Sequence, residues 1–221
     1  MTTPTLFKGI YLDFDLGTNT FFGVGVVDHL ARIGSKPVGA KLLAGLGSVT
    51  APNNAGYNVL IKPIKQAGND AMYFDKRFTR AELRAPTVGT IKLAKKVPWG
   101  GLKMGGGVGS GAQPDDWSGA EGGTGSSSKI MWNSSQTVLQ DGAIIPHFIL
   151  LAHELVHCLH NLLGTNKGGT KIAVTGPGGQ VEQIKHEEVY CVGLGDYAAE
   201  EITENAIRAE WPNIPRRNTY G

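Results

Sequence analysis

The stretch PHFILLAHELVHCLHNLLG (146–164) decides how the rest of the chain is read. Ile149, Leu150, Ala152, Leu155, Val156, Leu159, Leu162 and Leu163 put apolar side chains almost all the way round. That pattern predicts a helix buried inside the protein, not one lying on its surface. Pro146 suits a first helical turn and Gly164 is the natural stop. Within the helix stands His153-Glu154-Leu155-Val156-His157. Residues i and i+4 project from one face, so both imidazoles can reach one metal ion about 2.0–2.1 Å from each nitrogen. Glu154, one position round, falls beside a water acidified by that ion and can take its proton. Ionisable groups set in an apolar helix are costly unless they have partners. The spacing therefore predicts a zinc site; the plainer alternative is two core histidines bonded to backbone carbonyls, with Glu154 in a salt bridge.

A catalytic zinc needs a third protein ligand and a fourth position open to water. The metzincin pattern would put glycine at position 160 and histidine at 163, but the chain has His160 and Leu163. Better candidates are Glu187 and Glu188 in HEEVYCVG (186–193). Adjacent glutamates on a helix point about 100° apart, so one can ligate while the other orients a ligand. A solvated helix face is the plainer reading of the pair. His160 shares the ligand face and is expected as a hydrogen-bonded neighbour or a surface histidine. Cys158 and Cys191 are expected as buried free thiols, with a disulfide between their two helices as the alternative.

Composition bounds what surrounds this centre. A chain of 221 residues can bury a core as one domain, 1–221, and a monomer is expected. A net charge of +2 from scattered basic residues leaves no footprint for nucleic acid, and two cysteines make no disulfide framework. No apolar run is long enough to span a membrane, so no membrane partner is expected. MTTPTLFKGI lacks the basic and apolar regions of a classical signal peptide. Five of the six histidines fall between 147 and 186, which concentrates the expected chemistry there.

Outside that region the elements are shorter. Residues 1–17 are expected to be loosely held. Phe22, Val26, Leu30 and Ile33 mark one face of a helix ended by Gly34. A second helix starts at Ser35 and Pro37, with Val38, Leu42, Leu43 and Leu46 on its apolar side. Residues 57–64, 71–75, 87–93 and 129–133 read as strands, with Pro63 placing the first at a sheet edge. Eleven of the 32 glycines lie in 100–125, so 100–128 reads as a long Gly-rich loop flanking the cleft, with a substrate-responsive loop as the favoured reading and an inert linker as the alternative. After a Gly-rich connection (164–179), helices are expected over Val181–Val192 and Tyr197–Glu210.

Taken together, HELVHCLHNLLG (153–164), EEVYCVG (187–193), ITEN (202–205) and RNTY (217–220) resemble the NleD-like zinc metallopeptidase effectors of bacterial type III secretion. More distantly they are similar to the catalytic light chains of clostridial neurotoxins. The clear motifs cover about residues 128–220, and Phe21–Leu46 resembles the amino-terminal helical region of the effectors. The resemblance implies His153, His157 and Glu188 as ligands of one zinc ion and Glu154 as the general base. Glu204 would hold a ligand imidazole; taken alone it reads equally well as an exposed glutamate paired with Arg208 at i+4. Arg217 and Tyr220 would face the scissile carbonyl, where a guanidinium and a phenol suit a developing oxyanion.

The expectation is thus an α+β, zincin-like (gluzincin) fold, a small sheet packed on helices with the HExxH helix buried. Its function would be zinc-dependent endopeptidase action by a secreted effector in the target-cell cytosol, where Cys158 and Cys191 stay reduced. The partner is a protein substrate, with a host MAP kinase as the leading guess, and a secretion chaperone accompanies the host-effector reading. Two rival readings are an antibacterial toxin or processing protease with another protein target, and a non-catalytic zinc-containing binding protein. The Glu154 carboxylate and the Arg217/Tyr220 pair count against the last, since a structural site normally has four protein ligands.

Overall fold

The fold is built around the helix that the HExxH stretch predicts. A computed structural model describes residues 2–13, 20–48, 57–63, 111–133, 139–140, 143–176 and 178–218. Strands are β1 (Thr2–Pro4), β2 (Ile10–Asp13), β3 (Val59–Pro63), β4 (Gly111–Pro114), β5 (Ser128–Trp132), β6 (Leu139–Gln140), β7 (Ala143–Ile144), β8 (Lys171–Thr175) and β9 (Val181–Lys185). Helices are α1 (Thr20–Gly34), α2 (Pro37–Ser48), α3 (Trp117–Glu121), α4 (His147–Leu163), α5 (His186–Val192) and α6 (Glu204–Ala209). This is the expected α+β arrangement of a small sheet on helices. Among the described residues no helix is long and apolar enough to cross a membrane.

Five strands form one mixed sheet in the order β1-β2-β3-β5-β4, with β2, β3 and β5 parallel and β1 and β4 antiparallel at the edges. Side chains alternate along a strand. Ile10 and Leu12, Val59 and Ile61, and Ile130 and Trp132 therefore share one face, which packs on the helices. Leu30 and Ile33 of α1, Leu42 and Leu46 of α2, and Ile149, Leu151, Leu155 and Val156 of α4 complete that core. Helix α4 touches α1, α2, α3, α5, α6, β4 and β5, so almost every turn of it is covered. Pro146 precedes its first turn and Gly164 closes it in the left-handed conformation, φ 73°.

Several expectations are corrected. Residues 2–13 carry two strands instead of a loose start, because Ile10 and Leu12 gain a parallel partner in β3. Strand β3 is central, not at an edge: β2 pairs only with Val59–Ile61, so the missing N–H of Pro63 falls beyond the end of that ladder. Of the proposed loop 100–128, residues 111–128 hold β4, α3 and the start of β5. Asp116 caps α3 by accepting from the Ser118 amide at 3.0 Å. The glycines here serve close packing: Gly125 has φ 77°, and a Cβ on it would lie 2.2 Å from the Leu162 carbonyl oxygen. Residues 100–110, 71–75 and 87–93 lie outside the described residues.

The carboxyl-terminal third also differs. The predicted helix over 181–192 is strand β9 followed by α5, because Ile172, Val174 and Ile184 alternate across a β8–β9 hairpin and pack on Val189, Val192 and Leu194. The predicted helix over 197–210 is a 3₁₀ turn at Gly195–Tyr197 and then α6, started by Thr203 accepting from the Ala206 amide at 3.1 Å. Cys158 and Cys191 are buried and free, as expected, and burial pushes the Cys158 thiol pKa up.

Candidate metal centre

Two turns of α4 and the first turn of α5 converge. His153 Nε2 and His157 Nε2 lie 3.1 Å apart, and Glu188 Oε2 lies 3.3 Å from the first and 3.2 Å from the second. Donors held about 2.0–2.1 Å from a tetrahedral ion stand about 3.3–3.4 Å from one another. The three atoms thus form one face of such a tetrahedron.

The opposite edges of the imidazoles are also engaged. His153 Nδ1 lies 2.8 Å from Glu204 Oε2, and His157 Nδ1 lies 2.9 Å from Glu187 Oε1. A carboxylate at Nδ1 keeps the proton on that nitrogen and turns the Nε2 lone pair outward, the arrangement metal-bound histidines use. Two lone pairs and a carboxylate oxygen then face one another, and such a donor set fits a cation. Two other groupings, His153/His157/Cys191 and His157/His160/Glu187, also bring possible donors close. In the first, Cys191 Sγ sits 3.4 Å from His153 Nδ1, on the edge already taken by Glu204, and donates to the His153 carbonyl at 3.3 Å. In the second, Glu187 is occupied by His157, by His160 Nδ1 at 2.7 Å and by the Lys167 amide at 2.8 Å.

Electrostatics follow from this packing. Burial alone would lower the pKa of His153 and His157, but Cys191 and the adjoining glutamates outweigh it and raise both well above the ordinary value. Glu188 is held well below the carboxylate range, since the two imidazoles overcome its burial. Glu187 falls to about 2 against its burial, through hydrogen bonds from His157 and His160. Glu204 also falls to about 2, where His153, Arg217 and Arg208 outweigh desolvation. Glu154 moves the other way. Burial raises its pKa, with Glu188 adding to it, while the imidazoles and the Ala112 amide oppose. A carboxyl raised toward neutrality suits proton transfer. Its Oε2 accepts from the Ala112 amide of β4 at 2.7 Å.

A family model for peptidase M91, described as an effector protein, matches residues 17–220. The chain belongs to the peptidase M91 family. Among solved structures, its fold is similar to the Clostridium botulinum neurotoxin serotype F light chain. That match has a TM-score of 0.51 and 15% identity and covers 85% of this chain and 55% of that one. A botulinum neurotoxin serotype HA light chain gives a TM-score of 0.46 at 14% identity, covering 94% of this chain and 59% of that one. The M91 chain spans a little over half the length of these light chains, and the likeness to the serotype F light chain is one of fold. No curated protein sequence matches it.

Of the residues singled out in the M91 chain, the fold brings His153, Glu154, His157, His160, Glu187, Glu188, Glu204 and Arg217 together, and Tyr220 lies outside the described residues. Glu204 bonds to His153 and also makes the i+4 pair with Arg208, but the expectation of an exposed glutamate is corrected: it is buried at 2% exposure. Arg217 Nη1 sits 3.3 Å from Glu204 Oε2. His160 is an interior residue, bonded to Glu187 and stacked on Tyr190 with centroids 3.9 Å apart. His147 joins a ring cluster with His29 and Trp132, and His186 meets the Tyr197 hydroxyl at 2.6 Å, so neither reaches the centre. Sequence reasoning missed Ala112, whose backbone amide carries no side-chain signal, and Asn205. The burial of Arg208 had only one clue, its i+4 spacing from Glu204.

Proposed function

We propose that the chain is a zinc endopeptidase of the gluzincin type, acting as a secreted effector on a protein of the target cell. His153, His157 and Glu188 hold one zinc ion, Glu187 and Glu204 orient the two imidazoles, and His160 steadies Glu187. The observation that carries this reading is the triangle of Nε2, Nε2 and Oε2, with a carboxylate behind each imidazole. When bound, the ion supplies Lewis acidity toward water and a peptide carbonyl. Glu154 takes the proton of the attacking water and delivers it to the departing amine, a task its raised pKa favours. Arg217, with its backbone held by Asn205, and Tyr220 complete the Arg-x-x-Tyr pair and donate to the oxygen that becomes negative.

Membership of an effector family supports a protein substrate. A host MAP kinase is the first candidate, with delivery by type III secretion and a chaperone as part of the same reading. The test uses wild-type chain and Glu154→Gln in host-cell lysate, mapping new amino termini by mass spectrometry and zinc content by metal analysis. The expected result is one zinc in each, with cleavage by the wild type only. Equal cleavage by both would overturn the mechanism.

A further inference from the structure

We propose that Arg208 is a positioning residue of the metal centre, which aims Glu204 at His153 and seats the segment carrying Arg217. This rests on the zinc-site reading above. Arg208 is 1% exposed and its partner Glu204 2%. A buried ion pair is a weak source of stability, since apolar residues of similar volume often serve as well. The geometry gives this pair another use. Arg208 Nε and Nη2 both approach Glu204 Oε1 at 2.6 Å. One oxygen of the carboxylate is thereby claimed, and the other, Oε2, is turned to His153 Nδ1 at 2.8 Å and to Arg217 Nη1 at 3.3 Å. Rotation of the carboxyl about its last torsion, which is intrinsically soft, is stopped from behind.

The remaining arm of the guanidinium reaches the tail. Arg208 Nη1 donates to the Pro215 carbonyl at 2.8 Å. Two residues on, Asn205 clamps the Arg217 backbone, accepting from its amide at 2.7 Å and donating to its carbonyl at 2.9 Å. The segment thus folds back on α6 at two points: Arg208 touches the carboxylate behind His153 directly, whereas Asn205 reaches it through the Arg217 guanidinium. A lysine at 208 could reach one of these two oxygens but lacks the planar fork that serves both.

The experiment measures metal affinity by chelator competition and the visible spectrum of the cobalt-loaded chain for wild type, Arg208→Lys, Arg208→Met and Asn205→Ala. Supporting partners of a ligating histidine change metal affinity by about 10–100-fold. Arg208→Met is expected to lose about tenfold or more and to shift the cobalt bands. Arg208→Lys is expected to lose less, about threefold to tenfold, and it decides the matter if Arg208→Met does not fold. Asn205→Ala, which loosens the same tail but leaves the direct Arg208–Glu204 pair in place and reaches Glu204 only through the longer Arg217 contact, is expected to lose less than either Arg208 variant, within about twofold. Wild-type affinity and spectrum in both Arg208 variants overturn the proposal, as does an Asn205→Ala loss equal to that of Arg208→Met. A wild-type chain that takes up no metal overturns the zinc-site reading and this proposal together; a metal-loaded wild type with unaffected Arg208 variants overturns this proposal alone.

Discussion

The Ala112 amide donates to Glu154 Oε2 across 2.7 Å, so the edge strand of the sheet holds the carboxylate next to the imidazole pair. This hydrogen bond favours the ionised form and partly offsets the burial that raises the Glu154 pKa. Ala112→Pro removes the donor at a sheet edge, where proline is tolerated. A base works only when deprotonated, so a further rise in its pKa moves the acidic limb of kcat/KM to higher pH. Loss of a hydrogen bond to a charged group should also cost roughly tenfold or more in kcat. A pH–rate profile, with circular dichroism to check folding, tests this; an unmoved acidic limb would show the bond to be irrelevant to the reacting state.

The two adjacent glutamates should separate cleanly. Glu188 faces both Nε2 atoms, whereas Glu187 faces the Nδ1 atoms of His157 and His160. Glu187→Gln should weaken metal binding by about 10–100-fold, and Glu188→Gln should weaken it more. Chelator competition ranks them, and the reverse order would exchange their roles.

On the proposed zinc site, metal and protons would compete for the same nitrogens. In the metal-free chain His153 and His157 have pKa values well above 6.5, so their contribution to stability is full below about pH 6.5 and is lost as pH rises through the raised values. Zinc needs the deprotonated Nε2, and its binding releases protons. The rise in melting temperature on adding zinc should therefore be larger at pH 8 than at pH 6. Thermal melts with and without chelator measure it, and an equal rise would rule out proton displacement from these histidines.

Gly164 closes the central helix with φ 73°, and a Cβ there would lie 2.5 Å from backbone atoms of Gly123. Gly164→Ala should cost roughly 1–3 kcal/mol, from left-handed strain and the displaced neighbour. Urea denaturation reads this directly; an unchanged midpoint would mean that the 123–164 contact yields freely.

The central helix was legible because its signals are local: an apolar surface all round, a proline at one end, a glycine at the other and an i, i+4 histidine pair. The 186–193 segment was legible in its residue types but not in its conformation. Val181 and Ile184 have the i, i+3 spacing of a helix, and only pairing with the partner strand Lys171–Thr175 makes Val181–Lys185 a strand. Gly-rich 111–128 misled for the opposite reason. Glycine is as useful for letting two backbones touch, as Gly125 does at Leu162, as it is for loops. Pro63 misled because its effect depends on how far the neighbouring strand extends, which only the register of β2 against β3 reveals.

Helix α5 also straddles two apolar clusters. Cys191 belongs to the main core, while Val189 and Val192 belong to the smaller cluster beneath the β8–β9 hairpin. An ion shared by His153, His157 and Glu188 would rivet these two bodies across their seam. Stripping it should then unzip the molecule unevenly, with faster amide exchange in 171–194 and protection retained in the sheet and α1. The centre would govern which part of the chain opens first when the metal is withdrawn.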